Sequence, residues 1–198
     1  MCESNVYMEK DGREELLMED VARLWPEHEE MVLEGILGQQ LRLRARFKWA
    51  DLEGHRILLE PALSDELEAA RRFHGHLGPN VVLGLRMGKT ITDRFGSEPF
   101  KYSITSYTGR RPPISCIVDG LQLATPCSVG SGTIQIAEGG QARVVAQKEG
   151  RHLEIRVRQQ ILDRMEAEYG PQHEEELPRE LWTLPDEELF ETAEDQGI

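Results

Sequence analysis

The stretch Phe73-His74-Gly75-His76-Leu77-Gly78-Pro79 constrains this chain more than any other, because no regular element can run through it. Gly75 and Gly78 weaken a helix, and Pro79 cannot extend one from behind but suits the first position of a new one. The charged segment from Ser64 to Arg72 is therefore expected to end at this turn, and an apolar helix is expected to run from Pro79 to about Phe95. Ser64 can cap the first helix, whose acidic residues come early and basic ones late, as the helix dipole favours. Histidines two apart in an extended turn can point at one centre, and glycine beside them lets backbone come close to whatever lies there.

Upstream of that turn the period changes. Asn5 to Met8 and Glu15 to Met18 flank Asp11-Gly12, a pair that favours a type I′ hairpin turn. Glu30 to Glu34 follows, and then Leu41 to Trp49 alternates apolar and basic residues, as a strand with one buried and one wet face does. With Arg56 to Leu59, these short runs predict a small antiparallel β-barrel over residues 1–61, closed by Pro61. Arg42, Arg44, Arg46 and Lys48 share the outward face of the alternating run. They read either as a groove for phosphate or RNA, or as a solvated strand neutralised by nearby glutamates and protected from edge pairing.

Downstream, residues 62–198 mix helix and strand. Phe100 to Thr108 predicts a strand, and Pro113 opens a short helix, Ile114 to Leu123, on which Cys116 and Asp119 share a face. A loop of small residues, Thr125 to Gly132, contains Cys127. Thr133 to Ala137, Ala142 to Lys148 and His152 to Val157 read as strands. From Gln159 onward the chain is expected to be an acidic helical tail, anchored last by Leu184 to Phe190 and frayed beyond Glu191.

Charge narrows the partners. The net charge of −13 opposes general binding to nucleic acid or anionic membranes. It is uneven: −6 over residues 1–60, +4 over 61–160 and −11 over 161–198. The first twenty residues carry seven acidic groups and no apolar run, so no signal peptide is expected, and no stretch is apolar enough to span a membrane. A cytoplasmic location follows, and three cysteines in a reducing compartment suit metal or redox chemistry better than a disulfide framework.

Four blocks in order, the histidine turn, Leu83 to Gly88, Cys116 to Gln122 and Thr125 to Gly132, resemble the FmdE family, named for the E component of formylmethanofuran dehydrogenase, over residues 64–192. The resemblance implies a mixed α+β fold, frequent dimerisation and a metal near the histidine and cysteine motifs. This sequence has Gly78 and Asn80 where the family usually has Cys and Gly, and Ser131 where it usually has Lys. Residues 1–61, beginning Met1-Cys2-Glu3, resemble a second family, the small nickel-binding β-barrel proteins called CooT. That likeness implies a dimer, an association with nickel delivery and a metal-binding cysteine at position 2. A terminal amine and the Cys2 thiol both deprotonate readily when a metal competes for them.

The candidate metal ligands are thus His74, His76, Cys116 and Cys127, with Cys2 as a separate site. Imidazole and thiolate together suit zinc or nickel better than calcium or magnesium. The expected set is one histidine, His76 before His74, with Cys116 and Cys127, while Asp119 orients an imidazole or serves as a base. The bland alternative has one histidine packed in the core and the other capping the helix. The expected function is a dimeric metal-handling protein of anaerobic C1 metabolism, an accessory or metal donor to a molybdenum, tungsten or nickel enzyme. The rivals are a metal-dependent enzyme acting on a small C1 or pterin-like substrate, and a structural or RNA-contacting module built on the Arg42 to Lys48 stripe.

Overall fold

The computed structural model describes residues 3–10, 13–28, 30–170 and 175–196. The chain forms two compact units, Met1–Ser64 and Asp65–Ile198.

The first unit is one sheet of six strands: β1 (Ser4–Lys10), β2 (Arg13–Glu27), β3 (Glu30–Gly35), β4 (Gln40–Leu43), β5 (Ala45–Asp51) and β6 (Arg56–Pro61). Their spatial order is β4-β3-β2-β1-β6-β5, antiparallel throughout except for the parallel pair β1 and β6. The predicted turn Asp11-Gly12 lies outside the described residues, but Lys10 pairs with Arg13 across it, the register of a two-residue hairpin. The strand predicted from Leu41 to Trp49 is instead two strands, broken at Arg44. β4 and β5 stand on opposite margins of the sheet with that one residue between them, so the sheet must curl until its margins meet at Arg44. The predicted barrel is realised as a half-barrel, with no ladder joining β4 to β5 among the described residues. Val6, Val21, Met31, Leu33, Ala45 and Leu59 form its core, and Ile57, Leu41 and Leu43 pack on them. The basic stripe is neutralised: Arg42 pairs with Glu27, Arg46 with Glu60 at 2.6 Å, and Lys48 with Glu9.

The second unit begins with helices α1 (Asp65–His74) and α2 (Pro79–Phe95), which flank the histidine turn as the sequence requires. A 3₁₀ turn (Ile114–Cys116) runs into α3 (Ile117–Ala124), and α4 (Gln159–Glu168), α5 (Glu176–Thr183) and α6 (Asp186–Leu189) come late in the chain. Strands β7 (Ser103–Ser106), β8 (Ile134–Ile136), β9 (Arg143–Lys148), β10 (Arg151–Val157) and β11 (Phe190–Gln196) form a sheet ordered β11-β10-β9-β7-β8. Ile104, Ala146 and Leu153 are successive cross-strand neighbours, as are Val144 and Ile155, and all five are buried. That shared face is the apolar core.

The end of the chain corrects the expected frayed tail. β11 pairs with β10 from Phe190↔Val157 to Gln196↔Arg151. Its glutamates, Glu191 and Glu194, which made it read as solvated, meet arginines of neighbouring elements. Glu194 accepts from Arg151 at 2.5 Å and from Arg94 at 3.0 Å. No helix among the described residues is long and apolar enough to cross a membrane.

The α2/α3 crossing fixes the site. A Cβ on Gly84 would stand 2.1 Å from the Ile117 carbonyl oxygen, and one on Gly120 would stand 2.1 Å from that of Val81. Both positions require glycine because two backbones touch there. Thr92 adds a hydrogen bond of 3.0 Å from its hydroxyl to the Ala124 carbonyl. Farther along, the guanidinium of Arg86 donates to the carbonyls of Leu181 and Trp182 at 3.2 and 2.6 Å, satisfying the open end of α5, and to Asp186 at 2.6 Å.

Candidate functional site

The close crossing brings the start of α3 against the end of α1 and the start of α2. There the fold leaves a cavity of about 310 Å³. His74, His76 and Gly78 come from the turn, Pro79, Asn80 and Val81 from the first turn of α2, and Pro113, Ile114 and Cys116 from the approach to α3. The remaining wall is α4, whose Leu162, Met165 and Glu166 share one face at helical spacing, followed by Tyr169. Most of this lining is apolar.

Cys116 and Asp119 lie one turn apart, and Asp119 reaches across to α1. Its Oδ2 stands 2.7 Å from His74 Nδ1, with the imidazole largely buried at 11% exposed. An ionised carboxylate only accepts, so Nδ1 carries the proton, and in the neutral ring the lone pair sits on Nε2. The rings of His74 and His76 are neighbours, with centroids 4.8 Å apart. His76 folds back over Gly78, where a Cβ would stand 3.0 Å from its Nε2. Any side chain at 78 would press on that imidazole. Burial pushes the Cys116 thiol up, and the Asp119 carboxylate pushes it further, so it is protonated at neutral pH.

Cys127 is elsewhere. Its thiol is 2% exposed, donates to the Tyr102 carbonyl at 3.5 Å, and does not line the cavity. Burial raises this thiol's pKa as well. The reason is local: Thr125 holds the loop by accepting from the Cys127 amide at 3.2 Å, which turns the thiol inward toward the start of the sheet. The structure thus brings His74, His76 and Cys116 to one cavity, with Asp119 bonded to His74 outside its lining, and leaves Cys127 out. Ser131 joins a cluster of hydroxyls in the exposed loop with Ser128 and Thr133, also away from the cavity. Cys2 lies outside the described residues. Among the described residues no three His, Cys, Asp or Glu groups are gathered closely enough to hold a metal ion. In kind, two imidazoles and a thiol suit a divalent transition metal. As arranged they offer a pair of imidazoles rather than a closed four-donor site.

Sequence reasoning missed the place of Asn80 and the α4 wall. Asn80 is a polar residue only 7% exposed, in the first turn of a helix, where most side chains so deeply buried are apolar. The i, i+3 pairing of Leu162 with Met165 was the available signal for α4, but it does not say what lies opposite.

Parts of this chain are similar to three known proteins. A protein of Archaeoglobus fulgidus described as a probable S-adenosyl-L-methionine-binding protein is 33% identical over 69 residues, 33% of this chain and 18% of its own length. This chain therefore spans less than a fifth of that relative. A crystal structure assigned as a CooT from Carboxydothermus hydrogenoformans shares 39% identity, covering 31% of this chain and all of its own, with a TM-score of 0.30. The structure of an FmdE-like protein of the tungsten formylmethanofuran dehydrogenase type, from Syntrophus aciditrophicus, shares 17% identity, covering 66% of this chain and 70% of its own, with a TM-score of 0.46. Residues 1–60 match the family model of the CO dehydrogenase accessory protein CooT. Residues 73–191, the whole of the cavity included, match the family model described as FmdE, molybdenum formylmethanofuran dehydrogenase operon, and the chain belongs to the FmdE family with a CooT-like unit ahead of it.

Proposed function

We propose that this protein is an accessory protein of C1 metabolism that binds a divalent transition metal, zinc or nickel, reversibly and passes it to a metalloenzyme. The two families matched support the accessory role and an association with metal handling. The observation that carries the metal reading is the Asp119–His74 hydrogen bond of 2.7 Å, since a carboxylate on one imidazole nitrogen orients the other toward a ligand. The ring spacing agrees with it. A metal about 2.0–2.1 Å from an imidazole nitrogen puts two ring centres roughly 5 Å apart, close to the 4.8 Å between His74 and His76. Cys116 lies beside them in the cavity. A site with few protein ligands and open positions exchanges its ion readily, as transfer demands. Cys2 offers a second place in the first unit, and a homodimer is the expected assembly.

Metal stoichiometry of untagged protein, purified anaerobically, tests this. His74→Ala with His76→Ala should remove the metal held by the second unit, and Cys116→Ser should weaken it by roughly tenfold or more. Cys127→Ser should leave it unchanged, and Cys2→Ser isolates any contribution of the first unit. Stoichiometry and affinity unaltered by the histidine pair, Cys116→Ser and Cys2→Ser would defeat the reading.

The same His74–Asp119 pair beside an apolar cavity favours one other reading, an acid–base enzyme acting on a small C1 or pterin-like molecule. In it His74 moves the proton and Asp119 holds the ring. Turnover that survives complete removal of metal would select it.

A further inference from the structure

The polar end of the cavity is built from backbone. α2 is a helix of 17 residues whose N-cap is Gly78, which provides no side-chain cap, and its first turn contains no acidic residue. Pro79 has no N–H, and the first capping bond of the helix is from the Val82 amide to the Gly78 carbonyl at 3.3 Å. The amides of Asn80 and Val81 have no hydrogen-bond partner among the described residues, although Asn80 is 7% and Val81 0% exposed. Buried amides are almost always paired, with protein, with water or with a ligand.

A second observation is independent of the helix end. Asn80 lines the cavity, and its carboxamide likewise has no partner among the described residues. Its polar atoms are not among the fully buried unpaired ones, so they are open to the cavity, where the carboxamide has two donors to offer. The two amides, the carboxamide and the positive end of the dipole all ask for an acceptor that carries negative charge. Beyond them the walls are apolar: Ile114, Leu162, Met165, Pro113 and Tyr169.

We infer that this cavity binds a small monocarboxylate, its carboxylate held by the Asn80 carboxamide and the Asn80 and Val81 amides and its apolar body against α4. A single negative charge fits better than a phosphate. Among the described residues no lysine or arginine lines the cavity, and Glu166 is part of its wall. At about 310 Å³ the space is at the small end of ligand sites, which suits a short-chain or single-ring acid. None of these donors is a proposed metal ligand, so the inference stands apart from the metal reading.

Calorimetric titration of the full chain after exhaustive chelation, with benzoate, benzamide, phenyl phosphate and hexanoate, tests it. Benzoate and hexanoate are expected to bind, benzamide at least tenfold more weakly than benzoate, and phenyl phosphate no more tightly than benzoate. Asn80→Asp puts a second negative charge at the carboxylate position and should weaken benzoate at least tenfold, with the far-ultraviolet circular dichroism unchanged. Met165→Trp, filling the apolar end, should weaken it too, and it serves if the position-80 variant does not fold. Equal affinity for benzoate and benzamide would overturn the inference. So would tighter binding of phenyl phosphate, affinity unaltered in both variants, or no acid binding below about 10 mM. Because the protein is metal-free, failure here leaves the metal reading untouched, and success does not establish it.

Discussion

Two stretches of α2 are made to opposite specifications. At Gly84 the helix lies so close to α3 that the backbones touch, and farther along Thr92 and Arg86 satisfy carbonyls of two neighbouring helices. At Asn80 and Val81 the same helix presents donors with nothing to donate to among the described residues, beside a cavity. Interiors do not tolerate unpaired polar groups without cause, so the contrast separates the part of the element that holds the fold from the part available for chemistry. Stability selects the first and function explains the second.

The largest effect should come from closing the gap that the glycines keep. Gly84→Val or Gly120→Val drives a side chain into a carbonyl 2.1 Å away and should cost about 4 kcal/mol or more, read as a collapse of the denaturation midpoint of the second unit. A loss under about 1 kcal/mol would show that the crossing can relax, and the contrast between the two stretches would weaken.

Acid should act at an intermediate level. Arg164 on α4, the helix that forms the cavity's far wall, grips Glu180 of α5 at 2.5 and 2.9 Å and holds that carboxyl below its ordinary range. On α1, Arg71 and Arg72 hold Glu68 down to about 2. Groups depressed on folding add stability above their unfolded pKa of 4.5 and lose it as pH falls. Both pairs are partly exposed, so solvent screening limits the loss to about 1 kcal/mol between neutral pH and pH near 2.5. Arg164→Met should flatten the part that belongs to α4, and an unchanged acid profile would assign the wall to packing alone.

The smallest effect should be at the open end. Asn80→Ala removes no side-chain hydrogen bond made among the described residues, so stability without ligand should change by less than about 0.5 kcal/mol. A loss above about 2 kcal/mol would mean the carboxamide is paired within the fold after all.

Much of this was legible in the sequence, and the failures share a cause. The helix from Pro79 to Phe95 and the turn before it follow from residues that act on their own backbone, and both stand where Gly75, Gly78 and Pro79 put them. The hairpin register around Asp11-Gly12 is local in the same sense. What could not be read depends on distant partners. The alternation from Leu41 to Trp49 is faultless as a pattern and says nothing of a corner at Arg44. The acidity of Phe190 to Gln196 looked like a solvated tail until Arg94, Arg151 and Arg158 were brought to it. Cys116 and Cys127 were equivalent as letters, and only the loop anchored on Thr125 separates them. The two positions at which the sequence departs from its family's histidine motif, Gly78 and Asn80, both line the cavity. Ser131, the third departure, lies away from it, as Cys127 does.

The corner at Arg44 has a mechanical consequence for the first unit. Two residue steps of chain reach at most about 7 Å, and that covalent clasp is all that separates the final residue of β4 from the first of β5. The curvature of the sheet is held by that tether, by the core that Leu33, Ala45 and Leu59 share, and by the hydrogen bond of 3.3 Å from the Ala62 amide to the Arg44 carbonyl. Lengthening that tether by a few glycines would remove the covalent limit on the seam and leave the core alone to hold the curl, with every existing ladder intact.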